Sequence, residues 1–147
     1  MDHRKDTNKK EKSQSLEELI KLPKNGFINE DTYIDEAMNM IEHGKSEIST
    51  SKLRSMYGQL CEITKRYDPS AQEELSKDCI SALRLLRIQI IYSMGRDDNV
   101  MDFIKDSHLV AYICHTEKEK KSGCYKLLCR YFEALVAFHR FKYPKES

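Results

Sequence analysis

The first candidate site is a pair of basic side chains placed where a helix disfavours them. In the segment STSKLR, residues 49–54, Lys52 and Arg54 fall in the first turn of a predicted helix. The helix dipole disfavours a cation there by roughly 0.3–1 kcal/mol. The same turn offers backbone N–H groups and three hydroxyl side chains, all of which are good donors to a phosphate. Two interpretations stay open: the side chains await an external anion, or they are solvated charges that the helix tolerates.

A second basic set lies on the most apolar stretch of the chain, LRLLRIQIIYSMGR. Arg84 and Arg87 stand three residues apart on one side of a helix, where like charges repel slightly, and Arg96 follows just past its end. A guanidinium is costly to bury alone. The pair therefore either binds an acid such as Asp78 or Glu133, or forms a narrow basic strip that stays open and that Arg96 extends.

The third set is on the last predicted helix, GCYKLLCRYFEALVAFHRFK. Apolar residues cover most of its surface, while one polar line at helical spacing contains Lys126, Arg130, Glu133, Ala137 and Arg140. That line has three bases and one acid. Rows of Arg and Lys along neighbouring helices follow a sugar-phosphate backbone without reading its bases.

Other residue types that perform chemistry occur without the spacing that chemistry needs. The sequence contains no glycine-rich phosphate loop, nucleophile elbow, zinc-protease motif or calcium-loop motif. The adjacent carboxylates Asp97 and Asp98 are explained by helix capping. The sequence therefore predicts a protein that is not an enzyme and has no catalytic residues. A small metal-dependent nuclease remains an alternative, and it would need clusters of carboxylates or histidines.

The number of cysteines is odd, and each lies in an apolar-periodic stretch; the five are Cys61, Cys79, Cys114, Cys124 and Cys129. Reduced thiols in the core of a cytosolic protein are the plain interpretation. The more specific interpretation is a zinc site, whose candidate ligands are Cys124, Cys129 and the neighbours Cys114 and His115. No C-x2-C pair exists, and residues five apart on a helix point in different directions. We predict no metal and no cofactor.

Helices must position these side chains, because no stretch of useful length alternates apolar and polar residues as a strand does. Periodicity, caps and breakers predict helices at about 29–44, 51–67 and 71–94, a fourth from 97 that continues or re-forms through 113, and a last one at about 124–142. A lysine- and glutamate-rich link, TEKEKKSG, precedes the last helix. The fold class predicted is all-α, a compact bundle of about five helices.

Length and charge favour one domain with a tail. At 147 residues the chain suits a single core, so we predict a flexible basic tail at 1–28 and a helical bundle domain at 29–143. No run approaches the roughly 18 apolar residues of a membrane span, and the N-terminus is too polar for a signal peptide, so a cytoplasmic protein is expected. Residues 29–44 are acidic and residues 118–145 strongly basic, which hints at a polyanion or at copies meeting head to tail.

Three stretches of the chain resemble a known family. The family is the small subunit of type III-A CRISPR effector complexes, the Csm small subunit. STSKLRSM is similar to its helix-start motif, and LRIQIIYSMGRDDNVMDFI is similar to its central helix and Gly-Arg turn. CRYFEALVAFHRF is similar to its C-terminal signature. Their order and spacing agree, and together they cover roughly residues 48–143. The tail and the EKEKKSGCY link depart from the family pattern.

The resemblance implies a helical, non-catalytic subunit of an RNA-guided complex in antiviral defence. Its implied partners are the CRISPR guide RNA and target RNA, the RRM-like backbone subunits, the large polymerase-type subunit and copies of itself, which stack along the RNA path. The motifs carry an RNA-binding role to five residues, Lys52, Arg54, Arg87, Arg96 and Arg130. Arg84 and Lys126 join this set from their helical position alone.

One alternative from another functional class stays open: a helical protein–protein scaffold without RNA contact, whose basic rows pair with acidic partners. The remaining apolar residues of the central helix are relevant to this scaffold alternative. Ile88, Ile91 and Tyr92 belong either to the core or to a subunit interface. We predict that they belong to the core.

Overall fold

A computed structural model describes residues 15–144, which contain seven α-helices, one short 3-10 turn and no strand. The helices are α1 (Leu16–Leu19), α2 (Tyr33–His43), α3 (Thr50–Tyr67), α4 (Lys77–Arg96), α5 (Asp98–Ser107), α6 (Leu109–Glu119) and α7 (Ser122–Lys142), with the 3-10 turn at Pro69–Ala71. The all-α prediction is confirmed, although the expected number of about five helices is too low.

The higher helix count arises partly from a break in the predicted fourth helix. His108 has a left-handed backbone conformation, φ 63°, and separates α5 from α6. The hydroxyl of Tyr131, on α7, donates to the carbonyl of Ser107 at 2.9 Å. That carbonyl is thereby satisfied without a continuing helix, so the chain turns between α5 and α6.

The start of α4 and the link before α7 also differ from prediction, for a shared reason. The chain between the 3-10 turn and Ser76 runs extended against the end of α6, where Leu75 donates its N–H to the Lys120 carbonyl at 2.8 Å and Ser122 donates to the Glu73 carbonyl at 2.9 Å. Ser76 then caps α4 by accepting from the Cys79 N–H at 3.1 Å. The first half of the predicted link, residues 116–119, is the last turn of α6, and its final two residues already belong to α7.

The core lies around α7, which packs against α2, α3 and α6, while α4 packs against α3, α5 and α6. The buried face of α4 has helical spacing, with Leu83, Leu86, Ile90 and Met94 all in the core. At the centre the rings of Tyr112 and Tyr131 meet edge to face, 5.4 Å between centroids. Each such ring contributes both apolar burial and a directional contact.

A buried histidine on α7 fixes the chain before α3. His139 Nε2 lies 3.1 Å from the Ser46 carbonyl and 3.0 Å from that of Ile48. The hydroxyl of Ser46 in turn donates to the Ile41 carbonyl at 3.0 Å. Because these contacts hold the segment that enters α3, they position the first turn on which Lys52 and Arg54 stand.

Part of the predicted tail packs on the bundle. Residues 15–28 include α1. Within this range the side chains of Leu19, Leu22 and Phe27 pack against the core, and Ile28 is buried. Residues 1–14, which contain five of the seven Lys and Arg residues of the predicted tail, lie outside the described residues. The domain boundary near residue 28 therefore stays a prediction.

The side chains predicted to be core on α4 are mostly not. Ile88 and Tyr92 are exposed, and only Ile91 packs, half-buried, against the core. The prediction was wrong because α4, although apolar almost all round, has neighbours on only part of its surface.

None of the helices within residues 15–144 is long and apolar enough to cross a membrane.

Candidate nucleic-acid interface

The start of α3 and the end of α4 meet at one corner of the bundle. Ser49 caps α3 by accepting from the Lys52 N–H at 3.1 Å. The Lys52 ammonium forms an ion pair with Asp97, which also caps α5 by accepting from the N–H groups of Asn99 at 2.9 Å and Val100 at 3.3 Å. The hydrogen bond from Lys52 is the main reason that the pKa of Asp97 lies below its usual range.

Two arginines lie near this ion pair in sequence, Arg54 two residues after Lys52 and Arg96 directly before Asp97. Arg54 and Arg96 are both exposed, and neither forms an ion pair within residues 15–144. The Arg96 guanidinium lies over the ring of Tyr92, 5.5 Å from its centroid, so its edges remain available. A guanidinium presents five N–H donors in a plane that matches a phosphate.

Arg84 and Arg87 converge on one acid of α6. Arg87 binds Glu117 through two hydrogen bonds of 2.8 Å, from Nε and Nη2, and Arg84 Nε lies 3.7 Å from the same carboxylate. The Glu117 side chain is only 5% exposed, whereas those of Arg87 and Arg84 are 26% and 57% exposed. The hydrogen bond to Glu117 raises the pKa of Arg87.

This pairing corrects the sequence-based choice of partner. Within the described chain, neither Asp78 nor Glu133 pairs with these arginines. Glu117 was overlooked because it lies in the stretch predicted to be a link. The signal was present, since Val110, Ile113 and Glu117 follow helical spacing and therefore share one face of α6.

The two predicted residues of α7 have different surroundings. Lys126 is exposed, forms no ion pair within residues 15–144, and lies with Lys65 on the wall of a cavity of about 380 Å³ between α3 and α7. Arg130 Nη1 lies 3.5 Å from Glu30 Oε1, at the surface. Exposed pairs of this kind contribute about 0–1 kcal/mol, so Arg130 remains free to exchange its partner.

The predicted basic residues are thus distributed over three places. Lys52 and Arg54 stand at the start of α3 and Arg96 at the end of α4, Arg84 and Arg87 surround Glu117, and Lys126 and Arg130 lie along α7. Arg96 does not extend the strip of Arg84 and Arg87, because helical spacing places it on the Tyr92 face of α4. The acidic α2 and the basic α7 pack against each other.

The thiols are free and differ in burial. Cys79 and Cys114 are buried, Cys124 and Cys129 are half-buried, and Cys61 is exposed, so the prediction of core thiols holds only in part. Burial raises the pKa of Cys129 to about 11. Among residues 15–144, no group of three or more His, Cys, Asp or Glu side chains is arranged to hold a metal ion.

Comparison with protein families adds the decisive observation. The family model described as Csm2 Type III-A matches residues 29–145 of this chain. The chain belongs to the Csm2 type III-A family. The match begins before α2 and runs through α7, so it includes all seven of the predicted RNA-binding residues and confirms the resemblance seen in the sequence motifs.

Curated relatives agree with this assignment. Proteins described as "CRISPR system Cms protein Csm2" include one from Mycobacterium tuberculosis strain CDC 1551 / Oshkosh, 26% identical over 101 residues, which are 69% of this chain and 80% of the relative. The one from Streptococcus thermophilus is 28% identical over 121 residues, 78% of this chain and 94% of the relative. The one from Enterococcus italicus is 29% identical over 94 residues, 64% and 67% of the two chains.

Proposed function

We propose that this Csm2-family chain is the non-catalytic small subunit of a type III-A CRISPR interference complex in the cytoplasm, acting in antiviral defence. In this proposal it contacts the backbone of the guide RNA and target RNA through its basic helix faces. It also bridges the RRM-like backbone subunits, the large polymerase-type subunit and copies of itself. Family membership supports the complex, and the basic side chains support the RNA contact.

The observation that carries the RNA contact is the corner where α3 begins and α4 ends. Lys52 and Arg54 stand in the first turn of α3 and Arg96 ends α4, and the two arginines have no ion pair within the described chain. The third cation, Lys52, has only a half-exposed pair with Asp97, which an incoming phosphate can replace at little cost. A helix start adds backbone N–H groups that favour an anion.

The other predicted residues extend the proposed contact with unequal weight. Arg84, Lys126 and Arg130 are exposed or weakly paired, so phosphate binding costs them little desolvation. Arg87 already spends two of its N–H donors on Glu117, and only its remaining N–H groups are available to RNA. We therefore expect Arg87 to contribute least to RNA affinity and most to stability.

The test is a titration of single-stranded RNA with the full chain across a range of salt concentrations. Each lost phosphate contact should reduce the log–log salt slope by about 0.7, so Arg54→Ala and Arg96→Ala should each flatten it by that amount. Lys105→Ala, on α5 and outside the proposed set, is the control and should leave the slope unchanged. An affinity that ignores salt, or that strongly prefers one RNA sequence, would contradict backbone binding.

A second candidate, the helical scaffold without RNA contact, is favoured by the exposed apolar side chains of α4. Affinity purification of the tagged chain from its native host, with RNA and proteins both identified, separates the two. Recovery of the other complex subunits with RNA supports the first proposal. If the subunits remain bound to the Arg54→Ala/Arg96→Ala variant and the isolated chain never binds RNA, the scaffold is the correct description.

A further inference from the structure

A small cavity between α3 and α7 brings two thiols together. Its volume is about 380 Å³, and Cys61 of α3 and Cys129 of α7 both line it. Both thiols are free, and Cys61 is exposed whereas Cys129 is half-buried. A molecule that enters the cavity from solvent therefore meets Cys61 first. Neither thiol belongs to the proposed RNA contact.

Contacts on either side of the two thiols define how α3 faces α7. The rings of Tyr57 and Phe132 lie 5.6 Å apart between centroids. Two turns later on α3 and two turns earlier on α7, the hydroxyl oxygens of Thr64 and Tyr125 are 2.8 Å apart. The two helices are therefore antiparallel along this stretch.

Cys61 and Cys129 lie at the same level within the stretch. Cys61 is one turn before Thr64 on α3, and Cys129 is one turn after Tyr125 on α7, which is the same direction because the helices are antiparallel. The Thr64 hydroxyl lies 3.9 Å from the Cys129 sulfur, so Cys129 faces α3. Burial raises the pKa of Tyr57, and a hydrogen bond with Cys61 and the charge of a Cys129 thiolate raise that pKa further, so one phenol interacts with both thiols.

Packed helices allow a disulfide between two positions at the same level. Helix axes in contact are about 8–10 Å apart and Cα atoms lie about 2.3 Å from each axis, so facing Cα atoms approach to about 3.5–5.5 Å. A disulfide needs Cα atoms roughly 4.4–6.8 Å apart. Two thiols at one level, slightly to the side of the closest approach, are therefore in the range where a bridge can form.

The cavity wall favours a small anionic molecule. Lys65 and Lys126 line the cavity, and neither forms an ion pair within residues 15–144. No Asp or Glu of the described chain lines it, whereas the rings of Tyr57 and Tyr125 and the side chain of Pro69 do. A molecule with carboxylates and an apolar body matches both parts of this wall.

We propose that Cys61 and Cys129 form a dithiol site that small anionic disulfides oxidise, with Cys61 as the attacking thiol and Cys129 as the resolving thiol. In the first step the Cys61 thiol loses its proton to water, and its sulfur attacks one sulfur of the disulfide R–S–S–R. The S–S bond of the small molecule breaks, the bond between the Cys61 sulfur and one R–S group forms, and R–S⁻ leaves and takes up a proton.

In the second step the Cys129 thiol loses its proton, and its sulfur attacks the Cys61 sulfur. The bond from Cys61 to the R–S group breaks, the second R–S⁻ leaves and takes up a proton, and a disulfide joins α3 to α7. The two protein thiols lose two electrons, and one R–S–S–R is reduced to two R–SH. Burial raises the pKa of Cys129 to about 11, which slows its attack on a free disulfide, whereas a sulfur held beside it is attacked within the fold.

The first experiment treats the full native chain with oxidised glutathione at about pH 8 and follows the intact mass after quenching with acid. We expect a product about 2 Da lighter than the chain, from the loss of two hydrogen atoms, with about two molecules of reduced glutathione released per chain. Peptide mapping should assign the bridge to Cys61 and Cys129. A wild-type chain that stops at a glutathione adduct, or a bridge that includes Cys79 or Cys124, would overturn the proposal.

Three variants separate the roles of the thiols. Cys129→Ser should accumulate the glutathione adduct on Cys61, because no resolving thiol remains. Cys61→Ser should react at least roughly tenfold more slowly, because the other thiols are buried or half-buried. Cys124→Ser is the matched control, since Cys124 is half-buried on α7 and does not line the cavity, and it should react as the wild type does. Equal rates for Cys61→Ser and the wild type would refute Cys61 as the attacking thiol.

The last measurement tests the preference for an anionic disulfide. The rate with oxidised glutathione is divided by the rate with the neutral 2-hydroxyethyl disulfide, in the wild type and in Lys65→Gln/Lys126→Gln. This ratio should fall about fivefold in the double variant, the factor expected from one carboxylate–ammonium contact in water. An unchanged ratio would mean that the lysines do not select the disulfide, and the proposed anionic class would be wrong.

Discussion

Removal of the Arg87 guanidinium tests how much the stability of the bundle depends on the pairing of one buried carboxylate, that of Glu117. Arg87→Ala deletes two 2.8 Å hydrogen bonds to Glu117 and leaves Arg84, 3.7 Å away, as the remaining cation at that carboxylate. Breaking a buried pair by removing one partner costs about 3–5 kcal/mol. Arg87 is 26% exposed and Arg84 stays nearby, so the low end, about 3 kcal/mol, applies here.

The assay is thermal unfolding followed by circular dichroism. For a chain of this size each 1 kcal/mol lowers the melting temperature by about 2–4 °C, so Arg87→Ala should lower it by about 6–12 °C. Arg84→Ala is the matched control, because it touches the same carboxylate from a more exposed position and should cost about 0–1 kcal/mol.

A double variant checks the cause. Arg87→Ala/Glu117→Leu replaces the stranded carboxylate with an apolar side chain and should recover a large part of the lost stability, since apolar residues substitute well for buried ion pairs. The reasoning is refuted if Arg87→Ala melts within about 2 °C of the wild type, or if the double variant is less stable than Arg87→Ala alone. RNA affinity of Arg87→Ala, measured below its melting temperature, should change less than that of Arg54→Ala.

Three further predictions follow from individual contacts. The pKa of the Asp97 carboxyl is lowered by Lys52, so the pair stabilises the fold above the ordinary Asp pKa of about 3.9 and loses that effect as pH falls through the folded-state pKa; carboxyl NMR titration should show the low pKa, and Lys52→Ala should move it back up. At pH 8, iodoacetamide should modify exposed Cys61 well before Cys129, whose pKa is raised to about 11 by burial; equal rates in peptide mass mapping would contradict this. His139→Phe removes the ring nitrogen that contacts two carbonyls before α3, and the free energy of unfolding measured in urea titrations should fall by about 1–3 kcal/mol. An unchanged midpoint would show that these contacts contribute nothing to stability.

The sequence alone was sufficient for much of the fold because its strongest signals are local. The helix predicted at 51–67 is observed at Thr50–Tyr67, and the one predicted at 124–142 is observed at Ser122–Lys142. Periodic apolar positions, a serine cap and a breaking Asp-Pro pair all act within a few residues, and the sequence states them directly. Asp97 likewise caps α5 as predicted.

The basic side chains of the candidate interface were also readable from residue type and spacing, since a cation in the first turn of α3 is unfavourable without an anion nearby. The grouping of these basic side chains in space could not be read from the sequence. Whether Arg96 lies with Lys52 depends on two helices that are distant in sequence, and no local pattern contains that distance.

Only the tertiary structure decided which sides of α4 are covered and which charges are paired. A helix that is apolar almost all round is compatible with burial on any side, so the exposure of Ile88 and Tyr92 follows from where α3, α5 and α6 pack. The partner of Arg87 lies 30 residues away in sequence, on a helix whose length depends on the extended contact between residues 73–75 and 120–122. Periodicity reports which face of a helix is apolar, but the neighbours of that face are set by the packing of the whole bundle.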